Sequence, residues 1–301
     1  MTAQREKLFV WLAYAGMCLI WGTTWLAIKV GLHALAPLTG VGLRFLIAGA
    51  FLYGLAAIRG ELRPWREVPW KLVLVLAALL FGLNYILTYT AEVKLDSGLV
   101  AVLFGTLPFF AFAFAHAMLG ERITPRIWIG SLLAFGGVVV ISLVGEVRGS
   151  PLFALAAIGA AASSAFANVY AKRHSGHRPL LTLPPAMVLA GAAVLAIGLV
   201  AERTDWAVAL SGSSLLALLY LSIFGSGIAF FLMMWVLQRL PVSIVGLSSL
   251  VFPVIAIVVG SLFGGEHFSW RELFGSGLVV IGLWLALRTP PPEGAPEAAI
   301  P

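Results

Sequence analysis

The sequence predicts an all-α integral membrane protein of ten transmembrane helices, arranged as two inverted five-helix repeats. Three observations carry that expectation. Of the 301 residues, 61% are hydrophobic and only 11% are charged. Ten apolar stretches are long enough to span a bilayer. Part of the second half restates part of the first at a constant offset. A mean hydropathy of +1.01 leaves too little polar surface to solvate a water-soluble domain.

A bilayer core requires about 20 apolar residues per helix. Segments of that kind run over roughly 9–30, 37–58, 71–91, 97–119, 127–144, 151–171, 180–201, 214–237, 242–263 and 271–287. Most connections are short, which predicts antiparallel neighbours. The first segment follows Arg5 and Lys7 but exceeds a signal-peptide core and lacks an A-x-A cleavage site, so it reads as a helix. The tail, 289–301, is rich in Pro, Ala and Glu and is expected to be disordered. The single cysteine, Cys18, excludes an intrachain disulfide.

The net charge of +6 is spread over short loops, which is a topology signal and not one for nucleic acid. With alternating helices, thirteen of the 19 Lys and Arg fall on the side of the N-terminus, among them Arg5, Arg63, Lys71, Arg122, Lys172 and Arg239. Four lie on the other side: Lys94, Arg148, Arg203 and Arg271. The positive-inside bias predicts a multi-pass protein of the cell (inner) membrane with both termini cytoplasmic. Lys29 and Arg44 are left within apolar segments.

The repeat aligns Leu95–Ile141 with Leu240–Ala286 at an offset of 145, without a gap. Pro108 falls on Pro253, Gly120-Glu121 on Gly265-Glu266, Gly130-Ser131 on Gly275-Ser276, and Gly137 on Gly282. Five helices per copy is an odd number, so the copies enter the membrane from opposite sides. Inverted copies give inward-open and outward-open states of similar energy, which is what a transporter needs.

The residues that carry a family resemblance are Trp21-Gly22-Thr23-Thr24, Arg44, Pro108 with Gly120-Glu121, and the repeated Pro253 with Gly265-Glu266. On these the chain resembles the EamA family of the drug/metabolite transporter superfamily, over about residues 9–287. The resemblance implies EamA repeats at 9–144 and 151–287. It implies a cavity lined by helices one, three, four, six, eight and nine, with five and ten peripheral. It also implies alternating access and a small-molecule substrate. Characterised members include YddG-type exporters of aromatic amino acids, and exporters of threonine, cysteine-pathway metabolites and drugs. The second repeat lacks counterparts of Trp21 and Arg44.

Polar and aromatic residues inside the spans supply the site candidates. Trp21, Trp25 and Lys29 recur every four residues and form one helical stripe. Packing, an interfacial aromatic belt and a snorkelling lysine explain the same stripe. Tyr85 and Tyr89, with Asn84 and Thr88 beside them, mark the third helix, Ser163, Ser164 and Asn168 the sixth, and Phe230, Trp235 and Ser226 the eighth. Interhelical hydrogen bonding accounts for the sixth-helix group equally well. Arg44 is structural or substrate-binding, with the structural role favoured. Pro108 and Pro253 each free a backbone carbonyl near mid-helix, which suits gating or hinge positions.

No Asp or Glu lies inside a predicted span; all 13 map to loops or helix ends. That predicts transport without proton coupling. The best substrate is an aromatic or hydrophobic amino acid, with proton-coupled export of another metabolite or drug as the alternative. An intramembrane enzyme is remote. Phe224-Gly225-Ser226-Gly227 lacks the first glycine of a G-x-S-G nucleophile, and no pair of buried aspartates exists. No cofactor, metal or nucleic-acid partner is expected. The partners are the substrate and membrane lipids, and a monomer is compatible with the pattern.

Overall fold

A computed structural model describes residues 3–31, 36–95, 97–142, 150–174, 176, 178–209, 211–263 and 269–288. Ten helices among them are long and apolar enough to cross a membrane. They are α1 (Ala3–Gly31), α2 (Pro37–Ile58), α3 (Trp70–Glu92), α4 (Leu99–Leu119), α5 (Pro125–Ser142), α6 (Pro151–Arg173), α7 (Pro179–Ala201), α8 (Gly212–Leu237), α9 (Val242–Val259) and α10 (Trp270–Leu287). The expected number and order of spans hold. The tail, Glu266, and the side chains of Trp25 and Lys29 lie outside the described residues.

Two helix pairs join the halves, and glycine makes both possible. α2 packs on α7, where a Cβ on Gly42 would lie 2.5 Å from Leu195 N and one on Gly198 2.7 Å from Thr39 N. α5 packs on α10 in the same way. A Cβ on Gly130 would lie 2.5 Å from Gly282 O, and one on Gly282 the same distance from Gly130 O. Lipid offers no hydrophobic drive between helices, so backbone approach of this kind supplies the contact. The repeat detected between Gly130/Gly137 and Gly275/Gly282 is therefore a packing requirement.

The central helices are less regular. Leu76–Leu83 of α3 and Ile223–Ile228 of α8 wind as π-helix, at similar places in the two halves. α4 is broken at Gly105-Thr106, just before Pro108. α9 is interrupted at Leu247, whereas Pro253 lies inside its continuous second segment, Ser248–Phe263. The two prolines thus stand differently towards the breaks, although they are equivalent in sequence.

Carboxylates close the ends of two helices across the halves. Gly120 ends α4 in the left-handed conformation (φ 68°) and turns the chain so that Glu121 faces the start of α9. There Glu121 accepts from Val242 N and Ser243 N, both at 3.2 Å, and from the Ser243 hydroxyl. At the opposite face Glu202, after α7, accepts from Leu38 N and Thr39 N at 2.9 Å and from Thr39 Oγ1 at 3.1 Å. Each satisfies first-turn N–H groups that no intrahelical carbonyl can reach, and each places its charge at the positive end of a helix dipole.

Candidate functional site

The site begins with a register slip in α8. In its π-helical turn Ala229 N–H reaches back to Phe224 O, where an α-helix would have it bond Gly225 O. Gly225 O instead accepts from Trp21 Nε1 at 3.0 Å and from Arg44 Nη2 at 3.2 Å. Arg44 Nε donates to Ser226 Oγ at 2.6 Å. A side chain at Gly225 would press on Thr24 and on the Arg44 guanidinium. Trp21 and Arg44, the two signature residues without a second-half counterpart, are thus brought together by the second half itself.

Arg44 is 5% exposed, and its guanidinium carbon lies 5.7 Å from the centre of the Tyr85 ring. Its hydrogen-bond partners among the described residues are neutral oxygens. Trp21 meets Phe230 edge-on at 5.2 Å and Phe252 at 5.3 Å, and Phe45 meets Tyr85 at 4.7 Å. The rings of Trp21, Tyr85, Phe230 and Phe252 line a cavity of about 190 Å³. Arg44, Glu92, Tyr85, Tyr89 and Asn168 supply its charged and polar lining, together with Thr24, Asn84, Thr88 and Ser164. Val245 and Gly246 of α9 line it as well. Three side chains hold the chain next to them: Glu121, Tyr14 donating to Ile244 O, and Lys172 donating to Leu240 O, the last two at 3.2 Å.

Of the residues singled out in the sequence, Trp21, Arg44, Asn84, Tyr85, Thr88, Tyr89, Asn168, Phe230 and Pro253 line this cavity. Ser163 does not, because its hydroxyl donates to Leu79 O at 2.8 Å and ties α6 to α3. Trp235 does not, because its ring stacks under the Arg239 guanidinium at 3.9 Å. Pro108 is buried between α4 and α9, with its Cα 3.5 Å from where a Cβ on Gly246 would stand. Trp25 and Lys29 fall outside the described side chains. The lining adds Phe104, Ser248, Ser249, Phe252 and Glu92. Glu92, the last residue of α3, is one of the helix-end acids; the cavity extends to that end of the helix, so a terminal residue lines it. α5 and α10 contribute nothing to the lining, and α2 contributes Arg44 alone.

The profile of the EamA-like transporter family matches residues 8–143 and again 152–288. The chain belongs to the EamA-like transporter family. Among relatives of this EamA-like protein, the Escherichia coli (strain K12) "Uncharacterized inner membrane transporter YedA" is 29% identical over 290 residues, covering 93% of this chain and 91% of the relative. A Salmonella typhimurium (strain LT2) protein named "Probable amino-acid metabolite efflux pump" is 28% identical over 278 residues, covering 88% and 90%. One solved crystal structure superposes with a TM-score of 0.83 at 23% identity, covering 91% of this chain and 96% of that one. At that identity the likeness shows the fold alone.

Proposed function

We propose that this transporter exports an aromatic or large apolar amino acid by alternating access, from the inner membrane, with both termini cytoplasmic. The observation that carries the reading is Arg44: a buried cation held by neutral oxygens, its charge left for an anionic group, inside an aromatic wall. Burial strengthens such a charge, and rings give stacking area at low entropic cost. The naming of the Salmonella relative as an amino-acid metabolite efflux pump supports the same class. Trp21, Asn84, Tyr85, Thr88, Tyr89, Asn168 and Phe230 form the binding wall. Pro108, just after the break in α4, and Pro253, within the continuous part of α9, serve as hinge positions.

Reconstituted protein is expected to take up labelled tryptophan or phenylalanine above empty liposomes. Tyr85→Ala removes the ring that faces Arg44 and is expected to weaken uptake roughly tenfold, about one ring pair's contribution. Absence of flux for both amino acids removes the substrate reading. Transport without a proton gradient was expected from spans free of carboxylates, but Glu92 lines the cavity and takes away that ground. Its position favours the second reading, a carrier coupled to protons. Flux at symmetrical pH, compared with flux under an imposed gradient, separates the two.

Orientation has its own test. Cys18 is 3% exposed, so single added cysteines can be read against it. A cysteine in the 59–71 loop is expected to be shielded from an impermeant thiol reagent in intact cells, and one in the 202–213 loop to label. The reverse pattern inverts the assigned topology.

A further inference from the structure

Among the described residues the cavity carries one charge of each sign, Arg44 and Glu92, and the amino-acid reading gives the negative one no part in binding. Tyr85, Tyr89 and Glu92 follow one another at spacings of four and three along one face of α3. From Tyr85, under the Arg44 guanidinium, to Glu92 is seven residues, or about 10 Å of helix rise. A second observation concerns acceptors. Asn168 is 7% exposed and lines the same cavity, and its Oδ1 has no hydrogen-bond partner among the described residues. A buried acceptor left in that state calls for a donor from a ligand or a water.

We propose that Glu92 sets the charge selectivity of the cavity. Opposite Arg44 it makes the site electrically neutral, so the site admits ligands that carry an ammonium together with their carboxylate and rejects carboxylates that lack one. The physical basis is the field of the Glu92 carboxylate, in its ionised form, in a low-dielectric space. A ligand carboxylate that settles on Arg44 leaves the cavity net negative unless the ligand brings its own positive charge. An ammonium also supplies N–H donors, which Asn168 Oδ1 and Glu92 accept and a bare carboxylate does not offer. At a separation of about 10 Å and an effective dielectric near 20, one unit charge is worth roughly ten- to twentyfold in affinity.

This inference rests on the amino-acid reading, and the experiment separates the two. Inhibition of tryptophan uptake by phenylalanine, by 3-phenylpropionate and by phenethylamine is measured in proteoliposomes, with ligand-induced thermal stabilisation of the purified protein as a second readout. The wild type is expected to favour phenylalanine over 3-phenylpropionate by at least tenfold. Glu92→Gln, which keeps the shape and removes the charge, is expected to shrink that ratio towards one, with 3-phenylpropionate gaining. Glu92→Asp is expected to keep the wild-type order, and a melting temperature for each variant near that of the wild type reports an intact fold. A Glu92→Gln protein that keeps the full preference overturns this inference alone. A wild type that binds neither tryptophan nor phenylalanine overturns the amino-acid reading along with it.

Discussion

Gly282→Ala is expected to destabilise the folded protein sharply, while Gly277→Ala on the same helix leaves it intact. The added methyl at Gly282 would stand 2.5 Å from both Ala134 N and Gly130 O, and these are backbone atoms that no rotamer change can clear. α10 would have to withdraw from α5 along the whole contact. Overpacking of this kind costs about 1–3 kcal/mol, and a clash with backbone belongs at the upper end. A Cβ at Gly277 meets nothing within 4 Å. There the substitution removes a helix-interior glycine and is expected to be neutral, or to stabilise by about 0.5–1 kcal/mol. Thermal unfolding of the two variants in detergent checks the contrast. Equal melting temperatures would mean that the α5–α10 contact yields more easily than its geometry implies.

Arg44→Lys is expected to reduce transport at least tenfold without a comparable loss of folded protein. The guanidinium donates to Ser226 Oγ and to Gly225 O and stands over the Tyr85 ring. An ammonium is a point charge on a flexible stem, without the forked donors of a guanidinium, and cannot reproduce that geometry. Ser226→Ala removes only one acceptor and leaves the charge in place, so its effect is expected to be smaller. Initial rates normalised to the amount of monodisperse protein measure both. Transport by Arg44→Lys at the wild-type rate would mean that the charge alone suffices and that the hydrogen bonds of the guanidinium are dispensable.

Much of the fold was legible because a bilayer makes simple demands. Apolar runs of fixed length, loops biased in Lys and Arg, and the 145-residue offset each follow from the solvent or from duplication. The cavity was legible where aromatic and amide side chains recur at helical spacing, as in Asn84, Tyr85, Thr88 and Tyr89. Arg44 stood out as a charge within a span, but its partner did not, because that partner is a backbone carbonyl released by a π-helical turn. Such a turn has no compositional mark: Ile223–Ile228 reads as ordinary helix with two glycines. Glu92 escaped for a different reason. An acid at the end of an apolar run looks like a loop residue, and only the extent of the cavity shows which way it faces. Ser163 and Trp235 have the right residue types, but helical phase turned one to a neighbouring backbone and stacking engaged the other.

The carboxylate caps bear on how the chain is made. Leu38 and Glu202 are 164 residues apart, so at about 5–20 residues per second roughly 8–33 s pass between them on the ribosome. For that interval the first turn of α2 has only water for its Leu38 and Thr39 amides. The other cap runs in the opposite order. Glu121 is synthesised 121 residues ahead of Val242, so α9 meets its acceptor on arrival. The early half therefore waits for the late half, and the late half finds its place prepared. A nascent chain interrupted before Glu202 leaves α2 unfinished at the membrane surface, where a quality-control protease can recognise it.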